Sequence, residues 1–230
     1  MQRIGRRLDR AVHLTIASWF ALGVPSVMYE GGSTIVSALT SDDLSGYLVW
    51  LVVASVFEVW ARTTVICVLR GDRFSRALVA ALRRPVLVVY VIAACAEPWL
   101  TDFQSNLVSL PLFVAGSLIV FATMLALVGT VADSVPPVRA LAYWFREMCR
   151  PRRLGVNLAG ALVVACLMIV VPDILAGVPG ADWEPIRYAY VFYQGLGDAL
   201  AMVFVVLWYD AAVDDRHGRD IEHLLDAKPA

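Results

Sequence analysis

Three ionisable residues lie inside long apolar stretches of this sequence: Glu58, Arg62 and Asp198. Glu58 and Arg62 stand four residues apart in "VFEVWARTTV", a spacing that brings both side chains to one face of an α-helix. A charged side chain that faces lipid costs about 2.5–3.5 kcal/mol on an insertion scale. The pattern therefore predicts that these charges turn inward and meet, with Asp198 as a neighbour at similar depth.

Such a cluster is compatible with a structural role and with a functional one. As a clamp it fixes the register between helices, and as a site it handles a proton or a small solute within the membrane. Tyr190, Gln194 and Asp198 are spaced to line one stripe of the same helix, so we include Gln194 in the predicted intramembrane polar cluster. Arg62 has a further option, because its long side chain can extend to the inner membrane surface.

The residue types that most often carry catalysis or bind metals are scattered along the chain. The four cysteines show no CxxC or other metal-ligand spacing, and the three histidines lie in one apolar run and in the C-terminal tail. No P-loop, HExxH or GxSxG motif occurs. The sequence therefore predicts no catalytic residues, no metal and no cofactor. The net charge of −1 gives no sign of a nucleic-acid partner.

The composition predicts an all-α polytopic membrane protein. Of the 230 residues, 60% are hydrophobic and 17% are charged, against about 45–50% and 25% in soluble domains. Six stretches are apolar enough to cross a membrane as helices of ~20 residues: 11–29, 47–69, 85–101, 107–132, 154–176 and 188–209. We therefore interpret 1–230 as a single integral membrane domain, with 210–230 as its cytoplasmic tail. The third stretch is short, so a re-entrant or tilted segment is the alternative there.

The distribution of basic residues predicts the orientation of these spans. From the N-terminus onward, the seven segments outside the six spans carry 4, 0, 5, 0, 5, 1 and 3 basic residues. Cytoplasmic loops are enriched in arginine and lysine, so the alternation indicates six spans with both termini inside. We expect the protein in the inner membrane of a bacterium, with its first span uncleaved because no small-x-small site follows it.

Two cytoplasmic segments, 72–84 and 135–149, have helical amphipathic patterns. Phe74, Leu78 and Leu82 recur on one side of the first, and Val138, Leu141, Phe145 and Met148 on one side of the second. Both patterns predict short helices along the inner surface, with arginines directed to lipid headgroups: Arg73, Arg76, Arg83, Arg139, Arg146 and Arg150. The alternative is that each segment simply extends the adjoining span.

The two amphipathic segments also resemble each other. Each follows a span that runs inward, contains "RAL" and precedes a span that runs outward. The N-terminal "RRLDRAV" is a candidate for a third copy. This pattern favours a threefold repeat of an interfacial helix followed by a helical hairpin.

Three stretches resemble segments of one known protein family. They are "VLRGDRFSRALVAALRR", "PPVRALAYWFREMCRPRRLGVNLAG" and "LWYDAAVDDRHGRDIEHLL". The family is the group of six-helix bacterial membrane proteins that includes the membrane domain fused to some glycerophosphoryl diester phosphodiesterases. This chain departs from it at Asp214 and Asp215, where the family is more basic, and in lacking a glycine turn before the second amphipathic helix. The resemblance implies the fold and topology, and it implies no catalytic residues because the fused members carry that chemistry in a soluble domain.

These observations favour a non-enzymatic accessory or partner-binding protein of the inner membrane, associated with lipids through its interfacial helices. The expected partners are membrane lipids and another membrane protein, and the sequence leaves the oligomeric state open. The leading alternative is a small-solute or proton-coupled carrier that uses Glu58, Arg62 and Asp198. A membrane-embedded enzyme ranks third.

Overall fold

The computed structural model of the chain describes residues 44–82, 87–102, 110–170 and 197–214. These ranges are helical and contain no strand, which confirms the predicted all-α class for them. The helices are α1 (Leu44–Leu69), α2 (Phe74–Leu82), α3 (Val88–Asp102), α4 (Leu110–Ala132), α5 (Pro137–Met148), α6 (Pro151–Ala165) and α7 (197–214). A π-helical turn, Cys166–Val170, continues α6.

Three of the described helices are long and apolar enough to cross a membrane: Ser45–Leu69, Phe113–Ala132 and Pro151–Met168. They correspond to the predicted second, fourth and fifth spans. The third predicted span overlaps α3, whose 15 residues extend roughly 22 Å at 1.5 Å per residue, short of the ~30 Å hydrocarbon layer. The first predicted span, 11–29, lies outside the described residues, so the total of six stays a prediction.

Two helix ends differ from the predicted ones, because a proline and an ion pair decide them rather than hydropathy. α6 begins at Pro151, three residues before the predicted start, because proline suits the first turn of a helix. α7 continues through residue 214, five residues beyond the predicted end of the sixth span. Hydropathy falls at Asp210, yet the helix continues there because Asp210 pairs with Arg70 at the end of α1.

The interior of the bundle is filled by fully buried side chains from α1, α4 and α7. They include Val65, Ile66, Phe121, Leu125 and Met202. In a membrane such contacts contribute through van der Waals packing and close approach of small residues. The described interior is therefore a packed core that fixes how the three helices meet.

Glycine allows a close contact between two helices of the bundle. A Cβ at Gly160 would lie 2.9 Å from the ring of Phe121, so this glycine brings α6 close to α4. At Gly155, by contrast, no atom of the described residues lies within 4 Å of such a Cβ.

The C-terminal ends of α1, α4 and α7 meet at one end of the bundle. Arg70, just beyond α1, forms a two-pronged ion pair with Asp210 of α7, at 2.7 and 3.3 Å. Beside it, the Tyr209 hydroxyl donates to Asp133, just beyond α4, at 2.5 Å. The three helices thus run in the same direction, and we call the end where they finish the arginine-rich end.

The two short helices pack at this end, each on the long helix that precedes it. The Trp60 indole of α1 donates to the Leu78 carbonyl of α2 at 3.2 Å, after a turn in which Gly71 adopts φ 99°. α5 follows a turn in which Ser134 adopts φ 56°, the left-handed region that non-glycine residues rarely occupy. Both short helices exist as separate elements, so neither is a simple extension of the preceding span.

Candidate functional site

The structure brings Glu58, Arg62 and Asp198 together, and we call these residues the buried triad. Arg62 forms an ion pair with Glu58 one turn earlier on α1. Its Nη2 also lies 3.5 Å from Oδ1 of Asp198 on α7. One guanidinium therefore contacts two carboxylates from two helices. Gln194, the fourth residue of the predicted polar cluster, lies outside the described residues.

All three side chains of the buried triad are less than a tenth exposed, at 9%, 6% and 8% for Glu58, Arg62 and Asp198. Arg62 is therefore held inside the bundle and does not extend to the membrane surface, the option that its side-chain length left open. Breaking a buried ion pair by removing one partner costs about 3–5 kcal/mol, because the remaining charge is left in a low dielectric. The triad can thus act as a clamp between α1 and α7.

A close backbone contact positions Asp198 within α7. A Cβ at the preceding residue, Gly197, would lie 2.6 Å from the carbonyl oxygen of Leu167. Leu167 belongs to the π-helical turn that continues α6. Gly197 thus lies directly against this turn. The glycine therefore lets α7 approach α6 beside the buried triad.

Buried hydroxyl groups lie on α1, which carries two residues of the triad, and on α4. Thr64 of α1 donates to the Trp60 carbonyl at 2.9 Å, which satisfies its hydroxyl locally. Thr63 and Ser117 are buried, and their hydroxyls have no hydrogen-bond partner within residues 44–82, 87–102, 110–170 and 197–214. A buried hydroxyl without a partner is costly, so these two groups add polar character to an otherwise apolar interior.

Helix α5, at the arginine-rich end, has a buried face and an exposed apolar face. Ala140, Trp144 and Met148 are buried against the bundle. Val138 and Phe145, which we expected beside Met148 on a single apolar face, are instead 70% and 37% exposed. The core face of α5 is set by Trp144, whose ring lies 5.6 Å from that of Tyr209. Hydropathy alone could not select this face, because it ranks several apolar residues of α5 alike.

The predicted headgroup arginines fall into two groups. Four of them are exposed and form no ion pair with any part of the chain that the structure describes: Arg73, Arg76, Arg139 and Arg146. Arg150 is 57% exposed, but its Nη1 lies 2.8 Å from a carboxylate oxygen of Glu147. Arg83 lies outside the described residues. The structure thus leaves Arg139 and Arg146 as the exposed charges of α5.

Glu147 is a buried acid that the sequence analysis missed. Its carboxylate pairs with Arg150 at 2.8 Å and lies 3.9 Å from Arg153, both near the start of α6. Its backbone carbonyl accepts a hydrogen bond from the Asn157 side chain at 3.0 Å. These contacts join α5 to α6. The acidic residue three positions before an arginine was the available signal, but its burial follows from the turn between the two helices.

Two further polar contacts were also absent from the sequence-based predictions. The hydroxyls of Tyr90 on α3 and Thr130 on α4 lie 2.6 Å apart in a buried hydrogen bond. Tyr209, which bonds Asp133, passes so close to α4 that a Cβ at Gly129 would lie 3.1 Å from its hydroxyl. Both contacts join residues far apart in sequence, where spacing carries no signal.

Comparisons with known proteins supply no relative. No family model, curated protein or solved structure matches the chain. The resemblance to the membrane domain of the phosphodiesterases therefore stays a prediction. Among the described residues, no group of three or more His, Cys, Asp or Glu side chains could hold a metal ion.

Proposed function

We propose that the chain is a non-enzymatic accessory protein of a bacterial inner membrane, with six spans and both termini in the cytoplasm. The shared direction of α1, α4 and α7 supports this topology, since these helices correspond to the predicted second, fourth and sixth spans. The arginine-rich end, where they finish, is then the cytoplasmic end by the positive-inside rule.

The observation that carries the accessory role is a packed interior in which the buried charges pair with one another. The Arg62 guanidinium pairs with Glu58 and Asp198. Fully buried apolar side chains of α1, α4 and α7 fill the rest of the interior. A clamp of this kind fixes the mutual position of two helices and needs no path for water or solute. The buried triad is accordingly a structural element of a scaffold that other components of the membrane bind.

A carrier is the second candidate, and a specific observation favours it. Three ionisable side chains and two buried hydroxyls without a hydrogen-bond partner in the described ranges are found on apolar helices. Intramembrane charges often mark the route of a proton or substrate. In a carrier, the buried triad would exchange its partners during transport, and one carboxylate would take up and release a proton.

Reconstitution into vesicles that contain a pH-sensitive dye separates the two roles. For an accessory protein, wild type and the Glu58→Gln and Asp198→Asn variants should all give the proton flux of empty vesicles after a pH jump. A carrier should give a flux in the wild type that Glu58→Gln abolishes while the protein remains folded. Circular dichroism of the same vesicles checks the folding, and a triad-dependent flux would refute the accessory role.

The arrangement of the short helices supports the proposed internal repeat. The order of a long helix, a short helix and a further helix occurs in α1–α2–α3 and again in α4–α5–α6. In both cases the short helix packs on the long helix before it. The third copy, proposed at the N-terminus, lies outside the described residues. The same order of elements fits the layout of the six-helix family that the sequence resembles.

A further inference from the structure

We propose that the two exposed faces of α5 form a binding surface for anionic phospholipid headgroups in the inner leaflet. In this arrangement Arg139 and Arg146 contact the phosphates, while Val138 and Phe145 insert among the upper acyl chains. This inference rests on the proposed function only in placing the arginine-rich end at the cytoplasmic side. It narrows the predicted headgroup arginines to Arg139 and Arg146, commits to anionic phospholipid as the ligand, and adds Val138 and Phe145 as the apolar contact.

The spacing of these residues places them on two adjacent faces. Val138 and Phe145 are seven residues apart, as are Arg139 and Arg146, and seven residues make about two turns of an α-helix. Each pair therefore lies along one line of the helix, and the two lines are about 100° apart. Ala140, Trp144 and Met148 occupy the remaining side, which is buried. The apolar line and the basic line are thus both available on the outside of the bundle.

Among the described residues, the exposed charges on these two faces of α5 are positive. Arg139 and Arg146 are exposed and have no ion-pair partner in the described part of the chain. Glu147, the acid within α5, is buried and pairs with Arg150 and Arg153. Asp133, just before α5, accepts the hydrogen bond from Tyr209. The nearby acids are therefore engaged in internal contacts, and the exposed arginines are complementary to an anionic surface.

The position of α5 relative to the membrane favours lipid over a soluble protein partner. α6 begins at Pro151, two residues after α5 and its C-cap, and Pro151–Met168 is itself apolar and long enough to cross a membrane. α5 must therefore lie close to the level at which α6 enters the bilayer. Val156, in the second turn of α6, is an exposed apolar residue as well. A helix at this level with one apolar and one basic outer face matches an interfacial helix.

Contacts on the buried side hold α5 in a fixed rotation. Trp144 packs against Tyr209, and Asn157 of α6 donates to the Glu147 carbonyl. These contacts come from two different helices, so α5 cannot turn about its axis without losing one of them. The exposed faces are consequently presented in a set orientation before any lipid binds, which reduces the ordering that binding requires.

Native mass spectrometry of the full chain in mild detergent tests the proposal with defined lipids. The protein is titrated with phosphatidylglycerol and, separately, with phosphatidylcholine. We expect the wild type to retain more phosphatidylglycerol than phosphatidylcholine. In the double variant Arg139→Gln, Arg146→Gln, the ratio of the two affinities should fall by about fivefold for each arginine replaced. The matched control, Arg139→Lys with Arg146→Lys, keeps the charge and should keep most of the preference. Equal retention of the two lipids by the wild type, or an unchanged preference in the glutamine variant, would overturn the proposal.

A depth measurement tests the apolar face independently. In nanodiscs made with lipids brominated on their acyl chains, a Val138→Trp variant should lose fluorescence relative to the same variant in ordinary lipid. An Arg139→Trp variant, on the adjacent face, should be quenched less. Absence of extra quenching at position 138 would overturn the insertion of this face. If the glutamine variant instead lost a copurifying protein while its lipid preference was unchanged, the surface would be a protein interface and the proposal would be wrong. Neither readout depends on the proton-flux assay, so the proposed function and this inference can fail separately.

Discussion

Arg62 on α1 contacts Asp198 on α7, with Nη2 and Oδ1 3.5 Å apart, although 136 residues separate them in the sequence. Arg62 also pairs with Glu58 on its own helix, so a single side chain joins a local contact to a long-range one. Removing the arginine therefore affects two carboxylates, while removing either acid affects one pair. This asymmetry makes the buried triad testable as a clamp.

We expect Arg62→Gln to destabilise the bundle by about 3–5 kcal/mol, because it leaves two buried acids without this guanidinium. Glu58→Gln should cost less, since Arg62 then still contacts Asp198. Thermal denaturation in the same detergent, followed by circular dichroism, gives the order of the two variants. The control is Arg70→Gln, whose pair with Asp210 is partly exposed and should contribute only about 0–1 kcal/mol. If Glu58→Gln proved the more destabilising change, the clamp interpretation would be wrong.

Gly197→Ala should destabilise the contact between α6 and α7. The added methyl group would lie 2.6 Å from the Leu167 carbonyl oxygen, a backbone atom that cannot move without shifting the π-helical turn. Gly155→Ala is a matched control, because no atom in the part of the chain that the structure describes lies within 4 Å of its added Cβ. Alanine is favoured over glycine in a helix by up to about 1 kcal/mol, so the control should be neutral or stabilising. Comparison of the two melting temperatures checks the prediction, and equal effects would contradict it.

Arg150→Gln should destabilise the junction of α5 and α6, whereas Arg146→Gln should not. Arg150 provides the 2.8 Å partner of the buried Glu147 carboxylate, and among the described residues its removal leaves only the ion pair with Arg153, at 3.9 Å. A buried group that loses its partner costs about 1–3 kcal/mol, and a charged group costs more. Arg146 is exposed and has no ion pair in the described ranges. Chemical denaturation of both variants measures the difference, and a second change, Glu147→Gln, should partly restore the stability of Arg150→Gln.

The six-span topology predicts that positions 41, 102 and 182 face the outside of the cell. Single cysteines at Ser41, Asp102 and Asp182, in a protein without its native cysteines, should react with a membrane-impermeant thiol reagent added to intact cells. A cysteine at Ser75, in α2, should react only after the membrane is opened. Position 102 is decisive for the short third span: a cysteine that reacts only from the cytoplasmic side would show that α3 is re-entrant.

The sequence by itself determined the all-α class and the local ion pair. Apolar composition and run length require helices, because a backbone in lipid must satisfy its hydrogen bonds internally. The four-residue spacing of Glu58 and Arg62 places them on one face whatever the rest of the fold does. Depth within an apolar run was enough to indicate Asp198 as their neighbour, since charges at the same level of a membrane gain most by meeting.

Only the tertiary structure decided which faces are buried and which polar groups meet across helices. Val138, Phe145 and Met148 share one apolar pattern in the sequence, yet Met148 and Trp144 are buried while Val138 and Phe145 are exposed, because Tyr209 offers Trp144 a ring to pack against. Glu147 is ordinary in sequence and buried in the fold, because the turn into α6 brings Arg150 and Arg153 to its carboxylate. Hydropathy and periodicity describe one helix at a time. The choice of a buried face and of a long-range partner depends on the shape and charge of the neighbouring helix, which local spacing does not contain.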